Sequence, residues 1–131
     1  MEQFEVIVGA GTLRSTATGA VHFPHRWTPG GVSVEAPFTG AHLLHLSAAG
    51  CVLNDIYREA LALDLRIDGV RVSAGGGFDM ETWVSSGITY QVEVDSPLSA
   101  EDLARLLDRV DEVAEIPRAI RAGATVRRDR P

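Results

Sequence analysis

Glu2 to Ala10 alternates between apolar and polar positions and is rich in Phe, Val and Ile, the pattern of a half-buried strand. Gly9-Ala10-Gly11 breaks it, and Thr12 to Thr18 reads as a second strand returning after that turn. Ala20 to Phe23 and Val32 to Ala36 are shorter strands, separated by the turn chemistry of Pro24-His25-Arg26-Trp27-Thr28-Pro29-Gly30-Gly31. At Thr39-Gly40 the period changes. From Ala41 to Ala62 there is no proline, and Leu43, Leu46, Gly50, Leu53, Tyr57 and Leu61 recur at three and four, the spacing of a helix. Leu44, Ala48, Cys51 and Val52 occupy its other side, so up to Leu53 this helix is apolar nearly all round. A helix of that kind belongs inside a core.

Leu65 to Ser73 alternates as a strand, with Asp68-Gly69 as a turn or bulge. Gly75-Gly76-Gly77 links it to a long strand over Thr82 to Val94, where Ile88, Tyr90, Val92 and Val94 share one face. Ser99 reads as the N-cap of an amphipathic helix carrying Leu103, Leu106, Leu107, Val110 and Val113. Pro117 interrupts it, a short helical turn follows to Arg121, and Ala122 to Val126 reads as a last strand. The expectation is one α+β domain over 1–131: N-terminal strands in 1–38, a central helix at 39–63, strands in 65–95, helices in 99–121 and a closing strand at 122–127.

Composition narrows the chemistry. The chain has 131 residues, 45 % of them hydrophobic and 23 % charged, the balance of a single globular domain. A net charge of −6 argues against a nucleic-acid partner. Every basic residue is Arg, so lysine chemistry is absent. No run reaches the ~20 apolar residues of a membrane span, and Met1-Glu2-Gln3-Phe4-Glu5 lacks the basic start and apolar run of a signal peptide. A single cysteine cannot form an intrachain disulfide, and cytoplasm is the expected compartment.

Val6-Ile7-Val8-Gly9-Ala10-Gly11 resembles the opening of a dinucleotide fingerprint, but Arg14 stands where the third glycine is needed and no helix follows. Two His-x-x-His pairs, His22 with His25 and His42 with His45, have a spacing that suits a metal. Only Cys51 could add a soft ligand, and on an ideal helix it points away from His42 and His45, which are expected to pack at the start of the core helix. No metal and no cofactor are therefore expected. Cys51 remains as the candidate nucleophile. Asp55, four residues on and on the same face, would raise its pKa. An Arg from elsewhere in the fold would lower it, and Arg14 and Arg26 are the candidates.

The run Leu43-Leu44-His45-Leu46-Ser47-Ala48-Ala49-Gly50-Cys51 resembles the central helix of the OsmC/Ohr family of hydroperoxide reductases (osmotically inducible protein C and organic hydroperoxide resistance), where such a segment ends in the peroxide-reacting cysteine. Asp55-Ile56 through Ala60, then a strand, then Gly76-Gly77-Phe78-Asp79 continue the likeness. So does the Leu-rich helix from Leu103 to Val110, followed by a short helix. The resemblance implies curved antiparallel sheets wrapping a central buried helix, in an intertwined homodimer whose partner covers the helix's second face. It implies thiol-dependent reduction of an organic hydroperoxide in oxidative-stress defence, with Cys51 as nucleophile and Arg14 or Arg26 polarising the peroxide. Phe38, Trp27 and Trp83 would line an apolar pocket.

Two family features are missing. A second cysteine, which condenses with the oxidised first one, falls about at Ala114 in Val113-Ala114-Glu115-Ile116-Pro117-Arg118. A carboxylate about ten residues before the reactive cysteine falls near Ala41-His42. A one-cysteine enzyme would need an external thiol reductant. The alternative is a catalytically inactive dimer of the same fold, serving as a small-ligand-binding or structural module with Cys51 as packing.

Overall fold

The computed structural model describes residues 2–130. In chain order the elements are β1 (Val6–Gly11), β2 (Val21–Phe23), β3 (Val32–Glu35), α1 (Gly40–Ala62), β4 (Gly69–Gly75), β5 (Thr89–Asp95), α2 (Ala100–Val113) and α3 (Glu115–Ala122). The strands form one antiparallel sheet in the order β2-β3-β1-β4-β5. Val8 at its centre pairs with Val34 on one side and Val72 on the other. Alternation then puts Val6, Val8 and Ala10 of β1 and Val70, Val72 and Ala74 of β4 on one buried face.

α1 lies across that face, against β1 and β4. It starts at Thr39, whose Oγ1 accepts the His42 N–H at 3.3 Å. It ends at Asp64, whose φ of +55° turns the chain back so that the Leu65 N–H reaches the Ala60 carbonyl. Ala49, Val52, Leu53, Ile56 and Ala60 are buried, and α2 and α3 close over the helix from outside with Leu106, Val110 and Ala114. The second apolar face, for which the family resemblance invokes a partner subunit, is thus covered in part by the chain itself. Each fully buried Leu or Ile in such a core stabilises it by about 1.5–3 kcal/mol. Among the described residues no helix is long and apolar enough to cross a membrane.

Four expected strands are changed. Thr12 to Thr18 forms none, because β3 and β4 already occupy both edges of β1. The chain instead turns at Gly11 (φ +62°), with the Leu13 and Arg14 N–H groups donating to the Ala10 and Gly11 carbonyls. The long strand over 82–94 exists only from Thr89. Before it, the Asp79 carboxylate accepts the Glu81 and Thr82 N–H groups at 2.8 and 2.9 Å, and Trp83 takes a φ of +61°. The last strand at 122–127 is absent: α3 runs to Ala122, Gly123 closes it in the left-handed region, and Val126 is 94 % exposed. The strand expected from Leu65 begins at Gly69.

Candidate functional site

Cys51 sits midway along α1 and is only 7 % exposed. The break between α2 and α3 at Ala114, where the backbone is extended (ψ 110°), brings the first turn of α3 against it. The Sγ–H donates to Asp55 Oδ2 over a long 3.9 Å. The Cys51 sulfur and the nearest oxygens of Asp55 and Glu115 all lie within 4.8 Å of one another. Ala114 itself, the residue that the family resemblance sets at the second-cysteine position, is buried, and the adjacent Glu115 faces the thiol.

Arg58 ties this cluster together. Its guanidinium contacts Asp55 at 3.1 Å, Glu59 at 3.2 Å and Glu115 at 3.7 Å, and Arg109 reaches Glu59 at 3.2 Å. Burial pushes the Cys51 thiol up to about 11, and the Asp55 and Glu115 charges push the same way, while the Ile116 backbone N–H opposes them. Burial likewise raises the Asp55 carboxyl to about 6 against the pull of Arg58, with Glu115 adding to the rise. Glu115 is held low by its own backbone N–H at the start of α3, with Arg58 helping.

Neither arginine named from the sequence reaches the thiol within the chain. Arg14 Nη1 donates to the Gly30 carbonyl at 2.6 Å, beside a cavity walled by Trp27 and Tyr57. The Arg26 guanidinium lies 5.7 Å from the centre of the Trp27 ring. The guanidinium that does join the site, Arg58, was not singled out from the sequence, although it stands three residues after Asp55 and seven after Cys51. Those are spacings that share a helical face.

The histidines do not converge on Cys51. His42 Nδ1 lies 2.6 Å from Thr39 Oγ1, His45 Nδ1 donates to the Phe4 carbonyl at 2.8 Å, and His25 bridges Thr28 and Asn54. They pack as the start of a core helix should, with His42 edge-on to Phe4 and His45 stacked on Phe78. Cys51, Asp55 and Glu115 are the one group of three metal-type donors found among the described residues, and Arg58 already engages both carboxylates.

The expected aromatic pocket is not assembled: Phe38 is 90 % and Trp83 66 % exposed. An apolar cavity of about 270 Å³ lies instead between α1, β5 and α3. Leu44, Ala48, Ile88, Tyr90, Pro117 and Ile120 line it, with Ala48 one helical turn before Cys51.

No family model matches the sequence, and no curated protein matches it. Among solved structures, the chain is similar to an OsmC-like hydroperoxide resistance protein from Jannaschia sp. CCS1. The match has a TM-score of 0.53 at 13 % sequence identity and covers 98 % of this chain and 94 % of that one. At that identity the likeness establishes the fold.

Proposed function

From an OsmC-like fold as premise, we propose that this protein is a small-ligand-binding module in which Cys51 is a buried structural thiol. The observation that carries this is the setting of Cys51, buried on α1 with the Asp55 and Glu115 carboxylates within 4.8 Å of its sulfur, which favours the protonated thiol. The thiolate is the nucleophile in peroxide chemistry. A thiol at about 11 is ionised in roughly one molecule in ten thousand at neutral pH. Passing its proton to Asp55, at about 6, is uphill by ~7 kcal/mol. Recycling through an intrachain disulfide is closed as well, since the residue facing Cys51 from α3 is a carboxylate and the chain has no second thiol to condense with a sulfenic acid. The cavity beside Ala48 supplies a place for a small apolar molecule. A homodimer is supported by the apolar side chains the single chain leaves bare, Phe38, Phe23 and Leu43.

The second reading is thiol-dependent reduction of an organic hydroperoxide. It is favoured by the likeness of fold to a hydroperoxide resistance protein. There Cys51 Sγ attacks the O–O bond, releasing an alcohol and leaving a sulfenic acid. Two external thiols then return Cys51, giving a disulfide and water. Arg14 or Arg26 would serve only if brought by a second copy of the chain.

Cumene hydroperoxide consumption in the presence of a dithiol, with sulfenate trapping read by intact mass beside Cys51→Ser, separates the two. The expected result is no turnover and trapping slower than for free cysteine. Turnover, or trapping faster than free cysteine at the same pH, establishes the peroxidase instead.

A further inference from the structure

A second cavity, of about 440 Å³, lies where the C-terminal half of α1 faces the β1–β2 and β2–β3 connections and the segment leading into β4. That volume is in the range of small-molecule sites. One wall is apolar: Trp27, Leu65, Ile67, the Tyr57 ring and Leu61, which is 71 % exposed at the rim. Leu61 is ten residues past Cys51, about 15 Å along the helix axis, so this cavity is not the thiol's.

One charged group stands against that wall, and one polar group, on a ring that lines it, is sealed from solvent. Arg14 is fixed by its bond to the Gly30 carbonyl, and Gly30 is what makes room for it: an added Cβ there would collide with Nη1. Among the described residues no carboxylate pairs with Arg14, so its charge and its remaining N–H donors are uncommitted. The Tyr57 hydroxyl is buried with no hydrogen-bond partner, an arrangement that native cores seldom leave unexplained. Asp68, also on the rim, is paired with Arg66 at 2.9 Å. One free guanidinium, one free hydroxyl and a neighbouring carboxylate suit a monoanion and oppose a dianion.

We propose that this cavity binds a medium-chain carboxylic acid, its carboxylate on Arg14 with the Tyr57 hydroxyl in support and its apolar body along Trp27, Leu61, Leu65 and Ile67. A guanidinium takes a carboxylate through two parallel hydrogen bonds, which fixes the head group while the hydrocarbon sets the affinity. The site is independent of whether Cys51 reacts.

The test is calorimetric titration of the purified full-length protein with decanoate and, as the uncharged control, 1-decanol. Saturable binding of one decanoate per chain is expected. Arg14→Gln should weaken it tenfold or more while leaving decanol unchanged, Tyr57→Phe should weaken it severalfold, and Gly30→Ala, which displaces Arg14 without removing its charge, should act like Arg14→Gln. In the wild-type protein, decanoate should shift the Trp27 indole N–H resonance and leave that of Trp83 in place, which tests the site even if a variant fails to fold. Absence of saturable binding, or equal affinity in Arg14→Gln, overturns the proposal. Binding kept in Arg14→Gln but lost in Ala48→Trp places the ligand in the cavity beside Cys51, which overturns this assignment and leaves the ligand-binding reading standing.

Discussion

Replacing Asp55 by Asn tests the account of Cys51 most directly. The thiol stands at about 11 against an ordinary 9.0, two pH units and therefore a hundredfold fewer thiolates at neutral pH. A more basic thiolate is a better nucleophile, and a Brønsted slope of roughly 0.4–0.5 returns a little under tenfold. The wild-type sulfur should thus react about tenfold more slowly than an unperturbed thiol, before any loss from its near-complete burial. Asp55→Asn removes one negative charge and the acceptor of the S–H, leaving burial, the largest cause, in place. One neighbouring charge is worth about one pH unit, hence about tenfold in thiolate and about threefold in rate. The assay is a time course of Cys51 alkylation by iodoacetamide, read by intact mass from pH 7 to 11.5. A wild-type midpoint at or below 9, a rate above that of free cysteine, or an unchanged midpoint in Asp55→Asn refutes the reasoning.

Stability should follow the same cluster. Asp55 is raised by burial from 3.8 to about 6, so the stability it contributes is fully present below 3.8 and lost as pH rises through 6, a span of about 3 kcal/mol at most. The lowered Glu115 works in the opposite direction and trims it. In urea denaturation, wild type relative to Asp55→Asn should therefore be more stable at pH 5 than at pH 7, and the reverse order contradicts the burial of an ionised Asp55. Gly76→Ala should cost about 2–3 kcal/mol, because its Cβ would collide with the Gly87 carbonyl and crowd His45 Nε2; an unchanged urea midpoint shows that this loop can yield.

The helices were the most legible part of the chain. The apolar run beginning after Thr39 and the Ser99 cap define α1 and the start of α2 to within a residue or so, because capping and the helical period are local signals. The break read at Pro117 falls instead at Ala114, and Pro117 lies in the first turn of α3, where a missing N–H costs nothing. The faces of β4 and β5 were legible for the same reason. The order of strands was not: nothing local in Thr12 to Thr18 says that β3 and β4 claim both edges of β1. Val126 and its neighbours have strand-forming residues, but the chain leaves α3 without pairing to either outer strand, β2 or β5. At the site, Cys51 and the unfavourable sign of Asp55 could be read from helical spacing. Arg58 is legible in the same way, three residues after Asp55 on the same helical face. Glu115 could not, since only the break at Ala114 and the packing of α3 on α1 carry it to the thiol.

The break at Ala114 decides what stands opposite Cys51. It sets the residues just after α2 opposite position 51 of α1, whatever those residues are. With sulfur on both sides, the pair could pass between dithiol and disulfide. With a carboxylate on one side, the balance around Cys51 becomes electrostatic. Asp55, Glu59 and Glu115 meet only Arg58 and Arg109, and Arg109 also serves Glu112, so four negative charges face two positive ones. A thiolate or sulfenate added to that group would be a further anion in a largely dehydrated setting, which disfavours it on top of burial, the largest cause. Removing one carboxylate narrows that imbalance without moving the backbone. If Asp55→Asn speeds alkylation of the thiol while peroxide turnover stays absent, then the absence of a second thiol in this chain, more than the raised pKa, is what limits turnover.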